Sequence, residues 1–439
     1  MVVVQSSKVP LPHPSSLSPP PHPHTTSILF EPSSLSLALT HSDSSISLYN
    51  SFSPHSHSLP HPQTLIPSPS SSSTFLLLQQ PSSSSSSAAA AVLFIVSSPH
   101  RSRILLRLYR LRRDPPSFAR VTGVLCCHKD LRFEPSLGVL LDAKHGAAVR
   151  LAGSVNYFAL YALSSNRVWV FAVKDDDGGD EDDGGGVRLM RCAVIECARP
   201  VFSMSVALGF LILGEENGVR VFGLRRLVKG RGGKRKQLRN RGGGLEVVNC
   251  NGDLEGKMER HGVAVKQTNV KFKHDDRDGG SCFVALKGNE VKTKSTTKVS
   301  MSIKAISIQA VSQRMFLILD SRGDLHLLCL SNSGIGVDIT SNVKQLHRIM
   351  KVQSLAVLPD LSTMSQTIWI SDGCHSVHMF TAMDIENALN EANDCNDKLM
   401  HIPVNRVLFS SEKIQDIISL AANSILILGQ GSLYAYAIS

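Results

Sequence analysis

The chain has 439 residues, of which 42% are hydrophobic and 5% aromatic, and its formal net charge is +10. That apolar content is enough for a buried core, but no apolar run approaches the roughly 18 residues of a membrane-spanning helix. This excludes a helical membrane protein and predicts no membrane partner. The nine cysteines are odd in number and lack the paired short spacing of a zinc site, so they indicate free thiols in a reducing compartment.

The amino-terminal part of the chain, up to about residue 90, is rich in serine, proline and histidine, which is typical of flexible loops. Its serine-rich, acid-poor start also resembles an organellar transit peptide, although it lacks the arginines of that signal. Strand-like sequence begins at residues 27–30 (Ser-Ile-Leu-Phe). We therefore expect residues 1–26 to be a flexible segment, with a transit peptide as the alternative.

One pattern then recurs along the chain: an apolar run, a polar turn and a second apolar run. Each run is too short for an ordinary helix and is bounded by turn residues, so each pair of runs predicts a β-hairpin. Seven such hairpins are predicted, at residues 37–49, 91–108, 157–172, 210–222, 316–328, 367–380 and 424–438.

Four stretches between or within the hairpins need separate interpretations. Residues 101–113 hold arginines among leucines and fit either a basic amphipathic helix or a strand; their place in the repeat favours the strand. Residues 175–186 are acidic and glycine-rich and predict a disordered linker, because like charges repel and glycine adds backbone freedom. A calcium-binding loop is the alternative, but the segment lacks the residue spacing of that motif. Between residues 221 and 301 the pattern stops, which indicates a long insertion or a weak eighth repeat. Residues 382–393 predict a short helix.

The carboxyl terminus shows the pattern most clearly. Apolar runs at residues 414–420, 424–428 and 433–438 follow a further candidate strand at residues 406–409. Gly429 and Gly431 lie between the last two runs and can adopt the positive φ of a tight hairpin turn. These four runs predict a four-stranded antiparallel meander.

Repeats of this size built from four strands are the sequence signature of β-propellers. The pattern resembles the WD-repeat-like propellers over most of the chain, but without their Trp-Asp and Gly-His dipeptides and with a longer spacing between turns. The resemblance implies an all-β fold, a single propeller of seven four-stranded blades with long disordered insertions between blades. The run at residues 2–4 is a candidate for the strand that closes the ring, which would remove a free sheet edge.

The predicted organisation has four parts. Residues 1–26 form the flexible amino-terminal segment, and residues 27–224 form blades 1–4 with the acidic linker at 175–186. Residues 225–299 form a basic, largely disordered insertion, and residues 300–439 form blades 5–7. Leu426 and Ile427 are predicted to lie in an inner strand of the last blade, with opposite faces packed against its two neighbours.

No catalytic, cofactor-binding or metal-binding motif occurs in the sequence. His375 and His378 lie beside Cys374, but side chains three apart on a strand face opposite sides of the sheet, so a surface turn is the preferred interpretation. We therefore predict that the protein is not an enzyme and binds no cofactor.

The positive charge is concentrated in one segment. Residues 225–241 contain nine lysines or arginines and no acid, against a total net charge of +10. Within it, Lys234, Arg235 and Lys236 suit a nuclear import signal, and with Arg239 and Arg241 they could contact phosphates. No aromatic residue lies among them, so base stacking is not indicated.

The leading functional hypothesis is a non-catalytic scaffold that binds other proteins as a subunit of a complex. The second is a nucleic-acid-associated nuclear factor that acts through the basic residues 225–241. The third is an enzyme whose site residues come from separate blades. The expected location is the nucleus or the cytosol, with the nucleus favoured by Lys234, Arg235 and Lys236.

Overall fold

The computed structural model describes residues 4–11, 23–53, 59, 62–79, 90–113, 116–176, 186–229, 263–266, 281–286, 302–332, 339–347, 350–358, 366–395, 399–403 and 406–438. The described chain forms seven β-sheets, each built on a four-stranded antiparallel blade. The predicted all-β, seven-bladed propeller is confirmed.

The strands follow the chain in order, and the first, β1 (Val4–Pro10), belongs to the last blade. Blade 1 contains β2 (Thr25–Glu31), β3 (Ser36–His41), β4 (Ile46–Tyr49) and β5 (Thr64–Ile66). Blade 2 contains β6 (Ser72–Leu78), β7 (Ala91–His100), β8 (Arg103–Arg113) and β9 (Pro116–Arg120), and, after β10 (Val124–Cys126), also β11 (Leu131–Glu134) and β12 (Gly138–Lys144). Blade 3 contains β13 (Val149–Gly153), β14 (Tyr157–Ala162), β15 (Arg167–Asp176) and β16 (Gly186–Glu196).

Blade 4 contains β17 (Ser203–Ala207), β18 (Phe210–Glu215) and β19 (Gly218–Gly223), and, after helix α1 (Leu224–Lys229) and β20 (Val263–Lys266), also β21 (Ser281–Ala285). Blade 5 contains β22 (Ala305–Ser312), β23 (Met315–Asp320), β24 (Leu325–Asn332) and β25 (Ile339–His347). Blade 6 contains β26 (Ser354–Val357), β27 (Thr367–Ser371) and β28 (Ser376–Thr381), and, after helix α2 (Ala382–Cys395) and β29 (Leu399–His401), also β30 (Arg406–Phe409). Blade 7 contains β31 (Asp416–Ala421), β32 (Ser424–Leu428) and β33 (Ser432–Ile438).

The hydrophobic core lies between the blades. Seven buried clusters occur, one between each pair of neighbouring blades. Side chains alternate across each strand, so one strand contributes to two clusters. On β32, the fully buried Leu426 packs with Leu37 of blade 1, whereas the fully buried Ile427 packs with Trp369 of blade 6. The predicted placement of Leu426 and Ile427 is therefore confirmed.

The inner strands surround a central channel and close into a ring. The strands β2, β6, β13, β17, β22, β26 and β31 each contact the next, and β31 contacts β2. Glycine permits the close approach in places: a Cβ on Gly214 of blade 4 would lie 2.5 Å from the carbonyl oxygen of Ala305 on the inner strand of blade 5. Ser203 donates a hydrogen bond to that same oxygen at 2.7 Å.

The ring is closed by the two ends of the chain. Strand β1 pairs antiparallel with β33, from Val4 opposite Ile438 to Pro10 opposite Ser432. An amino-terminal strand thus completes blade 7; it begins at the end of the run at residues 2–4, and residues 1–3 lie outside the described residues. The predicted meander of residues 406–438 is wrong in one strand, because β30 pairs with β28 in blade 6. Helix α2 and β29 separate those two partners in sequence and conceal their pairing.

Two other local predictions are wrong in part: within the expected flexible segment 1–26, residues 4–10 form β1 and residues 25–26 begin β2, and within the expected linker 175–186, residues 175–176 end β15 and residue 186 begins β16. The remaining ones that fall on described residues agree with the structure. All seven predicted hairpins are present, residues 103–113 form strand β8, and the predicted helix is α2. Among the described residues there is no eighth sheet, and β21, which comes from within residues 225–299, is the outer strand of blade 4. Residues 177–185 of the acidic linker and most of residues 225–299 lie outside the described part of the chain.

Three short strands extend the outer edges of two blades. Strands β10 and β20 pair in parallel with β16 of blade 3, and β29 pairs in parallel with β25 of blade 5. Helix α2 packs beside β29, and its Ile385 and Ala388 are buried in the cluster between blades 5 and 6. These excursions cover strand edges that would otherwise be open.

Candidate functional site

The two faces of the ring differ in their connections. Because strands within a blade alternate in direction, the turn between the second and third strands lies on the same face as the connection into the next blade. We call this the upper face. Its turns lie at residues 42–45, 101–102, 163–166, 216–217, 321–324, 372–375 and 429–431.

Carboxylates on the upper face shape its turns. Asp43 accepts hydrogen bonds from the hydroxyl and the amide of Ser45, at 2.7 and 2.9 Å, and the hydroxyl bond in particular holds the pKa of Asp43 below its usual value. Asp372 accepts bonds from the amides of Cys374 and Ser376 at 2.8 and 3.2 Å. These acids are engaged in backbone geometry of the kind that Asx turns provide.

A buried pair lies below the turn of blade 5. Asp320 and His326 are each 1% exposed, and their side chains meet at 2.9 Å. The amides of Arg322 and Asp324 also donate to the Asp320 carboxylate, at 2.8 and 2.9 Å. Burial raises the pKa of Asp320, but these hydrogen bonds, that of His326 foremost, outweigh it and leave the pKa lowered.

A second ion pair lies within blade 4. Glu215 of β18 is fully buried and meets Arg220 of β19 at 2.8 Å. Burial, with the nearby charge of Glu215 as a smaller cause, raises the pKa of the Cys197 thiol to about 12, which makes that thiol a poor nucleophile. The Glu215–Arg220 pair therefore joins two strands of one blade.

A polar cluster joins blade 7 to its amino-terminal strand. Glu412, which precedes β31, accepts hydrogen bonds from the Tyr434 hydroxyl at 2.6 Å and the Gly431 amide at 2.8 Å. Lys8 of β1 lies 3.4 Å from the same carboxylate and 5.3 Å from the centre of the Tyr434 ring. Burial raises the pKa of Glu412, but the Tyr434 and Gly431 bonds prevail and hold it at about 2.

Another carboxylate spans the junction of blades 7 and 1. Asp416, on the inner strand β31, accepts hydrogen bonds from the amides of Ile28 and Ile417 at 3.2 and 2.9 Å. Burial raises the pKa of Asp416 to about 6 despite these bonds. At neutral pH the ring therefore holds a poorly solvated negative charge at its closure.

The upper end of the channel presents an apolar side chain at blade 5. Ile306 lies on the inner strand β22 and is 42% exposed. The register of β22 with β23 shifts there, since Ala305 pairs with Asp320 and Ser307 with Leu319, which leaves Ile306 unpaired. Such bulges redirect a side chain away from the regular alternation. The bulge therefore leaves the Ile306 side chain exposed to solvent instead of packed in the core.

Three exposed cations lie at the upper ends of blades 3 to 5. The ammonium group of Lys304 lies 5.1 Å from the centre of the half-buried Phe202 ring, a distance typical of a cation–π contact. Arg199 reaches the carbonyl oxygen of Glu216 at 3.5 Å, and Arg150 is exposed on the inner strand of blade 3. We call Arg150, Arg199, Phe202, Lys304 and Ile306 the mouth patch.

The backbone beneath the mouth patch is held in place from both sides. Ile303 exchanges hydrogen bonds with Asn217, its amide donating to the side-chain oxygen at 2.9 Å and its carbonyl accepting from the Asn217 amide at 2.6 Å. The Lys304 amide donates a hydrogen bond to the Ser321 hydroxyl at 3.1 Å, and the Ser321 amide donates one to the Lys304 carbonyl at 2.8 Å. The connection into blade 5 is thus fixed between the turns of blades 4 and 5, which preorganises the patch.

The residues predicted to carry a nuclear signal or phosphate contacts are Lys234, Arg235, Lys236, Arg239 and Arg241, and all five lie outside the described residues. The structure describes the start of their segment, helix α1, which follows strand β19 of blade 4 and exposes Arg225 and Arg226. No lysine or arginine of the mouth patch belongs to that segment.

Of the two histidines near Cys374, His375 lies in an upper-face turn, as predicted, whereas His378 lies on strand β28 and not in a turn. His375 donates a hydrogen bond to the Ser410 carbonyl at 3.2 Å, and Cys374 is exposed. Within the described ranges, no group of three histidine, cysteine, aspartate or glutamate side chains is placed to hold a metal ion. None of the helices described is both long and apolar enough to cross a membrane.

Sequence reasoning did not find the mouth patch. Phe202 and Lys304 are far apart in the chain, and a β-bulge leaves no mark in the alternation of so short a strand. A cation without an acidic neighbour in sequence is the signal that Lys304 offered.

The fold defined by these seven blades is that of a WD40-like β-propeller. Among solved structures, a humanized mutant of the Chaetomium thermophilum Polycomb Repressive Complex 2 matches with a TM-score of 0.50 and 8% identity, over 94% of this chain and 93% of that chain. The β-propeller domain of Cps50 (Swd1) from Myceliophteria thermophila matches with a TM-score of 0.49 and 8% identity, over 95% and 97%. At such identity the likeness concerns the fold alone. No protein-family model matches the chain, and no curated protein matches it in sequence.

Proposed function

We propose that the protein is a non-catalytic scaffold that binds other proteins as a subunit of a complex. The observation that carries the proposal is the mouth patch, where Ile306 is exposed two residues beyond the exposed Lys304 on a fixed backbone. Exposed apolar side chains next to cations on a rigid surface are typical of protein-binding sites. The solved structure at TM-score 0.50 comes from a multiprotein complex, which fits this proposal by analogy of fold.

The way the ring uses its acids supports the non-catalytic part of the proposal. Asp43 and Asp372 shape turns, and Glu215 is paired with Arg220. General acid or base catalysis needs a carboxylate or histidine that is free to exchange a proton with a substrate. These groups instead hold the turns and strands of their own blades in place.

Affinity purification of the tagged, intact protein tests the scaffold function. We expect one or more proteins to co-purify in fixed ratio, to remain after nuclease treatment and to elute with the scaffold in size-exclusion chromatography. A protein that elutes alone as a monomer, or whose companions disappear with nuclease, would contradict the proposal.

A second candidate function is nucleic-acid association through residues 225–241. The observation that favours it is the run of nine cations, whose first two side chains, Arg225 and Arg226, are exposed on helix α1. Phosphate contacts of this kind are independent of base sequence and weaken with salt. Salt-dependent binding of generic RNA or DNA that is lost on deleting residues 225–241 would favour this function over the scaffold.

We also propose a nuclear location, carried by Lys234, Arg235 and Lys236. A cluster of cations in a segment without acids suits the acidic groove of an import receptor. Changing the three residues to alanine is expected to move a fluorescent fusion from the nucleus to the cytosol. A triple variant that stays nuclear, or an unmutated fusion found in an organelle, would refute the assignment.

A further inference from the structure

The mouth patch has an excess of positive charge. Arg150, Arg199 and Lys304 are exposed, and none of the three forms a salt bridge within the described part of the chain. The acids nearest in the fold are occupied or shielded: Asp320 is buried against His326, and Glu215 is buried against Arg220.

One further acid belongs to this region. Glu216 is half-buried, and its backbone bridges to Lys304 while its carbonyl oxygen accepts the bond from Arg199. Counting the described residues alone, a single carboxylate against three cations leaves the patch cationic. Apolar and cationic groups thus lie side by side, so a matching ligand must supply both an apolar side chain and negative charge.

One of these cations stacks on an aromatic ring. Stacking on Phe202 restricts the Lys304 side chain, so less conformational entropy is lost when an anion binds it. Ile306, 42% exposed and two residues further along the chain on β22, can bury an additional apolar group once water is displaced.

We propose that the mouth patch binds an extended acidic segment of a partner protein, which packs an apolar side chain against Ile306 and places carboxylates on Lys304 and Arg199. This inference rests on the proposed scaffold function and specifies the chemistry of its partner. A nucleic acid would satisfy the cations but would leave Ile306 without an apolar contact.

The test uses a phage-displayed library of random dodecapeptides selected on the immobilised full-length protein. We expect enriched peptides to contain Leu, Ile, Met or Phe flanked by Asp or Glu. In fluorescence anisotropy, the best labelled peptide should bind Lys304→Glu and Ile306→Asp at least about tenfold more weakly than the wild type. The variant Lys413→Glu changes an exposed lysine elsewhere on the upper face and should retain affinity within about twofold.

Each other outcome contradicts the proposal. Enrichment of basic peptides, no enrichment at all, or equal losses in Lys304→Glu and Lys413→Glu would exclude an acidic ligand at the mouth patch. Binding of a single-stranded RNA oligomer that depends on Lys304 but not on Ile306 would assign the patch to nucleic acid instead. Thermal unfolding of the variants at the wild-type temperature would show that the loss of peptide affinity does not come from unfolding. If proteins still co-purify with Lys304→Glu and Ile306→Asp in the amounts seen for wild type, the scaffold function stands and the mouth patch is not its site.

Discussion

The closure of the ring by Glu412 can be tested through its pH dependence. Glu412 accepts hydrogen bonds from Tyr434 and Gly431 and lies 3.4 Å from Lys8, so it links the entry of blade 7 to its last hairpin and to the amino-terminal strand. Replacing it by glutamine keeps the size of the side chain and removes the charge. The resulting decrease in the free energy of unfolding measures how strongly the folded ring prefers the ionised carboxylate.

The magnitude follows from the pKa of Glu412, which is about 2 in the folded protein against 4.5 for a free glutamate side chain. At about 1.4 kcal/mol per pKa unit, the charge contributes up to roughly 3 kcal/mol at pH 7. Because the folded pKa is the lower one, this stabilisation is complete above pH 4.5 and is lost as the pH falls toward 2. At pH 3 less than about half of it should remain.

Urea unfolding followed by tryptophan fluorescence provides the assay, since Trp369 is fully buried and Trp169 nearly so. Glu412→Gln should unfold at lower urea than the wild type at pH 7, and the gap should narrow as the pH approaches 3. The matched control is Glu196→Gln, which removes a half-exposed partner of Arg167 and should change the free energy of unfolding by less than about 1 kcal/mol. Equal stability of Glu412→Gln and wild type at pH 7, or a gap independent of pH, would refute the closure role.

Three other substitutions test the packing of the ring. In chemical denaturation, Leu426→Asp should lower the free energy of unfolding by about 3 kcal/mol or more, because it places an unpaired charge between blades 7 and 1. The control Leu65→Asp, at a 64% exposed site, should change the free energy of unfolding by less than about 0.5 kcal/mol. Asp416→Asn should raise the melting temperature at pH 8 but not at pH 4, because the pKa of about 6 means that the wild-type ring loses stability as the pH rises through that value. Gly214→Ala should cost about 1–3 kcal/mol, since its Cβ would meet the neighbouring blade, and Gly223→Ala, which has open space, should not lower the melting temperature.

The hairpins could be predicted from the sequence because their signal is local. Each consists of two apolar runs and a polar turn within a few residues, and both runs are buried in the core. The outer strands could not be assigned in the same way. Strand β30 lies after helix α2, β21 lies after a long segment without strand pattern, and β1 lies at the other end of the chain from its partner β33.

The same contrast between local and non-local signals applies to the candidate site. Sequence inspection drew attention to clusters of one residue type, such as the basic run at 225–241 and the histidines near Cys374. The mouth patch instead combines single residues from three blades, and its apolar member is exposed by a bulge. The packing of blade 4 against blade 5 brings Phe202 beside Lys304, so no spacing in the sequence could indicate their contact.

Hydrogen–deuterium exchange of the purified complex tests the account most directly. The backbone amides of residues 302–306 and 199–205 should exchange more slowly in the presence of the co-purified partner than in the free protein, and this protection should be lost with the Ile306→Asp variant. Protection confined to other blades, or equal in the wild type and the Ile306→Asp variant, would contradict the claim that the mouth of the channel is where this propeller binds its partner.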